Sequence, residues 1–176
     1  MPEVNKEIHN PRTGQRMRFV EDGRELLLIE SVNPPTAERE PLHVHPLQVS
    51  GATVSSGSLV FEVAGEERRL VAGDSIAIPA GAAHRFWNDG EVPAHATQTF
   101  EPALDTAAFF ETLFALAAAG KLDSKGMPRP LQLALLVQEF SDEIRPASPP
   151  WPVLRILSAA LAPLGRARGY RGRIEA

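Results

Sequence analysis

The stretch that decides the fold is Gly73-Asp74-Ser75-Ile76-Ala77-Ile78-Pro79-Ala80-Gly81-Ala82-Ala83-His84-Arg85-Phe86-Trp87-Asn88. It starts at a Gly-Asp turn and continues as a short strand-like run that ends at Pro79-Ala80-Gly81, because proline cannot continue a central strand. His84 begins the next strand, where its ring can face back into the interior of a barrel. The stretch therefore predicts two consecutive strands with a histidine at the start of the second.

A second pair of histidines lies upstream, as His43-Val44-His45. Side chains two residues apart point to the same face of a strand, so both imidazoles are expected to point the same way. Neutral imidazole is the commonest protein metal ligand, and three of them suit zinc, iron, nickel or copper. We predict that His43, His45 and His84 converge on an internal pocket that can hold a divalent metal or a small ligand.

Short strand-like runs separated by turn residues surround both histidine clusters. Asp22-Gly23, for example, is a typical hairpin dipeptide. The further predicted strands are 17–20, 25–32, 59–63, 68–71, 75–79, 84–88 and 94–100. Many short strands at close spacing are typical of a barrel or sandwich, so we predict one small antiparallel β-barrel from about Met17 to Phe100.

Alanine and leucine dominate the sequence after Pro102, which indicates a helical part. The predicted helices span about 105–119, 130–140 and 152–161. Asp105 is expected to cap the first helix and Gly120 to stop it. An interruption is expected near Pro163, and the arginine-rich end, 166–176, is expected to be frayed. The predicted domains are a β-barrel over 1–102 and a helical extension over 103–176.

Composition excludes several classes of function. The formal net charge of −4 argues against a general nucleic-acid-binding surface. The absence of cysteine rules out disulfides, zinc-thiolate sites and thiol nucleophiles. The longest apolar stretch, Phe109–Ala119, is too short to cross a membrane. The first residues do not resemble a secretory signal, so a cytoplasmic location is expected.

On these motifs the chain resembles the cupin superfamily. The opening stretch matches its second motif, Gly-x5-Pro-x-Gly-x2-His-x3-Asn, at every fixed position. His43, His45 and Gly57 match its first motif, which is His-x-His, three or four residues, Glu, six residues and Gly. The flanking segments resemble those of single-domain bacterial cupins. The resemblance implies a jelly roll (double-stranded β-helix) with a C-terminal helical extension, and a homodimer.

One position departs from the family pattern. The resemblance implies a metal held by three histidines and a glutamate, but the glutamate position falls on Ser50, or on Val49 with the shorter spacing. A hydroxyl is a poor ligand and supplies no negative charge, although three histidines alone hold zinc in carbonic anhydrase. The predicted pocket residues beside the histidines are Gln48, Ser50, Phe86 and Asn88. Gln48 can assist only if a bulge changes its strand parity.

Three functions stay open at this level. The first is a metal-dependent oxygenase or isomerase-type enzyme of unknown substrate, using zinc, iron, nickel, manganese or copper. The second is a non-enzymatic barrel that binds a small ligand and has lost the metal-site carboxylate at Ser50. The third is a scaffold whose helices build a dimer or meet a partner through the apolar stripe Phe109, Phe110 and Phe114, although such stripes are usually plain core. The sequence does not decide whether catalysis occurs.

Overall fold

The structure is a computed structural model that describes residues 5–36 and 38–174. Two antiparallel β-sheets are followed by three helices. The strands are β1 (Glu7–His9), β2 (Arg16–Asp22), β3 (Leu27–Asn33), β4 (His43–Val44), β5 (Val49–Ser56), β6 (Ser58–Val63), β7 (Glu66–Val71), β8 (Ser75–Ile78), β9 (His84–Trp87), β10 (Ala94–Glu101) and β11 (Arg145–Pro146). The helices are α1 (Thr106–Ala118), α2 (Pro130–Phe140) and α3 (Trp151–Ala167).

The two sheets enclose the barrel core. The larger has the strand order β1-β2-β3-β10-β5-β8, and the smaller has the order β11-β4-β9-β6-β7. Along β10, buried and more exposed residues alternate, as expected for a strand with one face toward a core. Side chains from both sheets form one apolar cluster, which includes Val54, Leu59, Phe61, Leu70 and Ile78. The predicted antiparallel jelly roll with a C-terminal helical extension is confirmed.

The Pro79-Ala80-Gly81 turn carries the chain from one sheet to the other. Strand β8 before it pairs with β5 in the larger sheet, whereas β9 after it pairs with β4 and β6 in the smaller sheet. Gly81 has a φ of +79°, a conformation that glycine adopts without steric cost. Its backbone N–H donates to the carbonyl of His45 over 2.8 Å, which joins the turn to the segment that carries the first histidine pair.

The helices pack against the barrel and against each other. Ala107 and Phe114 of α1 share a buried cluster with Met17, Phe19 and Leu27 of the larger sheet. A second cluster joins α1 to α2 through Phe109, Leu116, Leu136 and Phe140. No helix within the described ranges combines the length and the hydropathy that a bilayer crossing requires.

Two expectations about the helices are wrong. Helix α3 continues through Pro163 to Ala167. Pro163 and Ala159, whose carbonyl loses its helical partner, are both exposed to solvent, so water can satisfy that carbonyl while the opposite face packs on α2. Asp105 occupies the N-cap position but makes no capping hydrogen bond, because its carboxylate pairs with Arg173.

The residues near the C-terminus also make more contacts than the sequence predicted. Arg173 pairs with Asp105 and with Glu139, and the Ile174 N–H donates to the Thr112 hydroxyl over 3.1 Å. The Arg171 carbonyl accepts a hydrogen bond from the Gln132 amide over 2.7 Å. The predicted fraying is therefore wrong up to residue 174, and the last two residues lie outside the described ranges.

Candidate functional site

Three histidine rings meet at one end of the barrel interior. His43 and His84 are paired partners on the neighbouring strands β4 and β9, and His45 follows β4 directly. The ring centroids are 4.4 Å apart for His43 and His84, 5.1 Å for His45 and His84, and 5.2 Å for His43 and His45. One nitrogen of each ring lies within 4.8 Å of the other two. The predicted convergence of these side chains is present.

Backbone carbonyls fix the protonation of all three rings. The Nδ1 atoms of His43, His45 and His84 lie 2.9, 2.6 and 2.8 Å from the carbonyl oxygens of Pro41, Glu143 and Ala82. A carbonyl oxygen can only accept a hydrogen bond, so each Nδ1 carries the proton. The lone pair of each neutral ring is then on Nε2. Metal-binding histidines are oriented in this way by the partner of their other ring nitrogen.

Burial keeps these rings neutral. It lowers the pKa of His43 well below its ordinary value, with further lowering from His84 and His45. It also lowers the pKa of His45 to about 4, although the hydrogen bond to the Glu143 carbonyl acts in the opposite direction. The pKa of His84 is lowered for the same main reason. Three neutral imidazoles at physiological pH are the form that binds a metal ion.

The helical extension holds the histidine strand in place. Strand β11, which follows α2, pairs with β4 so that Arg145 is opposite Val44 and Pro146 is opposite His43. The carbonyl that accepts from His45 belongs to Glu143, just before β11. The extension therefore supplies both an edge strand and one orienting hydrogen bond to the site.

A cavity of about 200 Å³ lies beside the histidines. Side chains of the barrel form one wall, including Phe61, Phe86 and Phe100. Helices α1 and α2 form the opposite wall, to which Phe110, Leu113, Leu136 and others contribute. The site thus combines a polar end at the histidines with a largely apolar chamber.

Seven other polar side chains are among the described residues that line this chamber: Asn10, Arg12, Thr13, Gln15, Glu40, Ser50 and Gln98. Ser50 and Gln98 project from the neighbouring strands β5 and β10, and only 5% and 6% of their surfaces are exposed. Glu40, which precedes β4, also lines the cavity, and its Oε1 accepts the backbone N–H of Phe86 over 3.1 Å. Burial raises the pKa of Glu40 to about 8, so this carboxyl is largely protonated at neutral pH.

The predicted pocket residues differ in where the structure places them. Ser50 and Phe86 line the cavity. Gln48 does not line it: its amide donates to the carbonyls of Pro102 and Ala103 and to the Thr106 hydroxyl, and its interaction with the His45 ring acts to raise the pKa of that histidine. Asn88 supports the following turn by donating to the carbonyl of Val92. These two side chains are buried but are not among the residues that line the cavity.

Sequence reasoning missed Glu40 and Gln98. Gln98 follows the alternation of β10 and could have been assigned to the inner face from the buried residues around it. Glu40 lies in an irregular segment, where no periodic rule predicts the direction of a side chain. Its position three residues before His43 was the only signal available.

The donor set fits a metal ion. Three neutral rings with oriented Nε2 lone pairs match the ligands of three-histidine sites. No acidic side chain joins this group within the described residues, and Ser50 offers only a hydroxyl on the same cavity wall. A bound dication would therefore keep its full charge and leave a coordination position for another ligand.

Comparisons with known proteins agree with this fold. Residues 29–100 match the family model described as Cupin domain. The structure of KdgF from Halomonas sp. is 23% identical with a TM-score of 0.50, and the likeness covers 53% of this chain and 84% of that one. An RmlC-like cupin from Shewanella frigidimarina NCIMB 400 is 23% identical with a TM-score of 0.51, covering 57% and 86%.

A third structure, from Silicibacter pomeroyi DSS-3, is described as a sugar phosphate isomerase from a cupin superfamily. It is 21% identical with a TM-score of 0.49, covering 57% of this chain and 75% of that one. No curated protein matches the sequence. At these identities the likenesses show the fold alone.

Proposed function

We propose that the protein binds a divalent transition metal through His43, His45 and His84, on the premise that residues 29–100 match the family model described as Cupin domain. The observation that carries the proposal is the arrangement of the three rings. Their Nδ1–H groups donate to backbone carbonyls, and one nitrogen of each ring lies within 4.8 Å of the others. Zinc, iron, nickel, manganese and copper all remain candidates for the ion.

We propose further that the site is that of a metal-dependent oxygenase or isomerase-type enzyme acting on a small molecule. A metal ion in such a site supplies Lewis-acid polarisation of a substrate oxygen or activation of dioxygen. Glu40 faces the same cavity in its protonated form and can give a proton to the substrate. The apolar wall from α1 and α2 limits the access of water to the reacting groups.

A second candidate function is a barrel that binds a small ligand without metal or catalysis. The observation that favours it is Ser50, which stands where the family carries a metal-binding carboxylate. Under this alternative the three Nε2 atoms accept hydrogen bonds from the ligand. The two functions differ in whether the protein holds a metal.

Metal analysis of protein purified without a histidine tag tests the first proposal. We expect about one equivalent of a transition metal per chain in the wild type, and a loss of that metal in the variant His84→Ala. His95→Ala is the matched control, because His95 lies on β10 with an exposed side chain. Clearly less than one equivalent, together with unchanged thermal stability in a chelator, would contradict the metal proposal and favour the binding barrel.

The homodimer and the cytoplasmic location predicted from the sequence also stay proposals. Four large apolar side chains of α3 are exposed and offer a surface that a second copy could cover: Val153, Ile156, Leu157 and Leu164. Light scattering on the purified protein measures the mass of the particle directly, and a monomer would rule out the dimer.

A further inference from the structure

The hydroxyl of Ser50 is a buried polar group without a partner. Its Oγ has no hydrogen-bond partner among the described residues, and the side chain lines the cavity. A buried hydroxyl that makes no hydrogen bond costs about 1–3 kcal/mol, so such groups are rarely kept without a role. The cavity is the space into which this hydroxyl can bond.

Gln98 provides a second polar group on the same wall. Ser50 is paired with Phe100 and Gln98 is paired with Ala52, so the two are diagonal neighbours on adjacent strands. None of the side-chain hydrogen bonds found among the described residues involves the Gln98 amide, although its side chain is 6% exposed. A hydroxyl and an amide thus lie together in the cavity that the three histidines also line.

The remainder of the chamber is suited to an apolar body. Phe110 and Leu113 of α1 and Leu136 of α2 face the cavity, together with Phe100 of the barrel. An apolar cavity of about 150 Å³ is known to hold a benzene ring. The volume of about 200 Å³ therefore accommodates one ring or a branched chain with a head group of a few atoms.

The same lining is poorly suited to a sugar phosphate. Arg12 is the one arginine or lysine that lines the cavity in the described part of the chain, and its Nη1 pairs with Glu38, whereas its buried Nε lacks a partner there. Phosphate binding usually relies on several cationic groups or clustered backbone N–H donors, whereas this lining offers one guanidinium that is already engaged by a carboxylate. Asn10, Thr13 and Gln15 also line the cavity, but most of its surface is apolar, so a sugar would leave many hydroxyls without a partner.

We infer that the ligand is a small carboxylate with an aromatic or branched apolar body, whose carboxylate is bound by Ser50 and Gln98 beside the histidines. The inference rests on the proposed metal site. Three neutral histidines leave a dication uncompensated, and a ligand carboxylate supplies the negative charge that Ser50 does not. The apolar body then fills the chamber under α1 and α2.

Calorimetric titration of the zinc-loaded, full-length protein with phenylacetate tests this inference, with glucose 6-phosphate as the competing class. We expect phenylacetate to bind and glucose 6-phosphate to bind far more weakly. Ser50→Ala and Gln98→Leu should each weaken phenylacetate binding roughly tenfold without loss of zinc. Ser56→Ala is the matched control, since Ser56 is exposed on the same strand as Ser50.

A purely structural role for Ser50 predicts a different outcome. Ser50→Ala removes an unpaired hydroxyl, so the ligand-free variant should be at least as stable to heat as the wild type while binding phenylacetate less well. Unchanged phenylacetate binding in Ser50→Ala, or tighter binding of glucose 6-phosphate, would overturn the ligand class and leave the metal proposal intact.

A separate experiment distinguishes failure of the metal proposal from failure of the proposed ligand class. If zinc does not bind, the neutral probe 2-phenylethanol is titrated into the metal-free protein, where its hydroxyl can donate to a histidine Nε2. Binding that Ser50→Ala weakens would support the apolar body and the role of Ser50 without a metal. Absence of binding would overturn both.

Discussion

At the scale of single residues, the three site histidines differ from His9 and His95 in what their rings contact. His9 and His95 are exposed on β1 and β10, whereas His45 and His84 are buried and His43 is half-buried, and each of these three rings donates through Nδ1 to a backbone carbonyl. Each carbonyl selects one tautomer and fixes the direction of Nε2. The chemistry of the site is therefore set as much by three carbonyl oxygens as by the imidazoles.

Burial of His45 predicts a specific pH dependence of stability. The ordinary histidine pKa of 6.5 applies to the unfolded chain, and in the folded protein it falls to about 4. As the pH falls through this window, the unfolded state takes up the proton first, so the free energy of unfolding decreases. In metal-free protein, the stability of the wild type relative to His45→Gln should fall by about 1.4 kcal/mol per pH unit between these values.

The measurement compares wild type with a variant because the titration of Glu40 changes stability with pH in the direction opposite to that of His45. Its folded pKa of about 8 exceeds the ordinary value of 4.5, so its contribution to stability decreases as the pH rises through that range. Urea unfolding of wild type and His45→Gln at several pH values cancels this contribution, and His95→Gln serves as the control. A difference between wild type and His45→Gln that does not vary with pH would contradict the prediction.

Ser50 offers a direct test of the missing carboxylate. Ser50→Glu places an anion in the cavity that the histidines line. Because groups that only hydrogen-bond to metal ligands already change metal affinity by about tenfold to hundredfold, we expect zinc affinity to rise by at least about tenfold. Without metal, the same variant should be less stable than wild type, because a buried carboxylate lacks a partner. Competition with a chelator measures the affinity, and Ser56→Glu is the exposed control. Equal zinc affinity in both variants would show that position 50 does not face the metal.

At the scale of elements, the sequence predicted the parts with strong local signals. The strands around Pro79-Ala80-Gly81 and the stop of α1 at Gly120 follow from proline, glycine and the apolar pattern. Strand β5 was missed because its serines and Gly51 have weak strand propensity, and its pairing with both β10 and β8 stabilises it instead. The short edge strands β1 and β11 were missed for the same reason, since pairing with a neighbour defines them.

The candidate site likewise has features that local sequence signals predicted and features that they did not. Strand parity and the turn before His84 predicted the convergence of three rings. Neither could indicate that Glu143, 98 residues after His45, accepts its hydrogen bond, nor that helices α1 and α2 line the cavity. Contacts between distant segments depend on how the extension folds back, and no local pattern encodes that.

The contact between α2 and α3 is close because Gly165 lies in it. A Cβ at this position would be 3.1 Å from the Leu131 carbonyl oxygen and 3.1 Å from Leu135 Cδ1. We expect Gly165→Val to destabilise the protein by about 1–3 kcal/mol through overpacking, as measured by urea unfolding. Ala160→Val, on the exposed face of α3, should cost only a few tenths of a kcal/mol, about the difference in helix propensity. Equal losses of stability in both variants would indicate that helix propensity, rather than packing between α2 and α3, causes the loss in Gly165→Val.

At the scale of the whole molecule, the helical extension completes both the core and the site. Helix α1 covers Met17, Phe19 and other apolar side chains of the larger sheet, and α2 adds the outer wall of the cavity. Strand β11 pairs with the strand that carries His43. The barrel and the extension are therefore coupled through packing, backbone pairing and the cavity itself.

This coupling predicts the behaviour of a chain that ends at Pro102. Without α1, the cluster around Met17 and Phe19 faces water, and without the segment around Glu143 the His45 ring loses its orienting carbonyl. We expect this fragment to aggregate or to bind a hydrophobic dye, and to have lost zinc affinity that the full-length control retains. Sizing and zinc titration on both proteins measure these effects. A soluble, folded fragment that binds zinc like the whole chain would show that the extension is an independent appendage, and that the barrel alone builds the site.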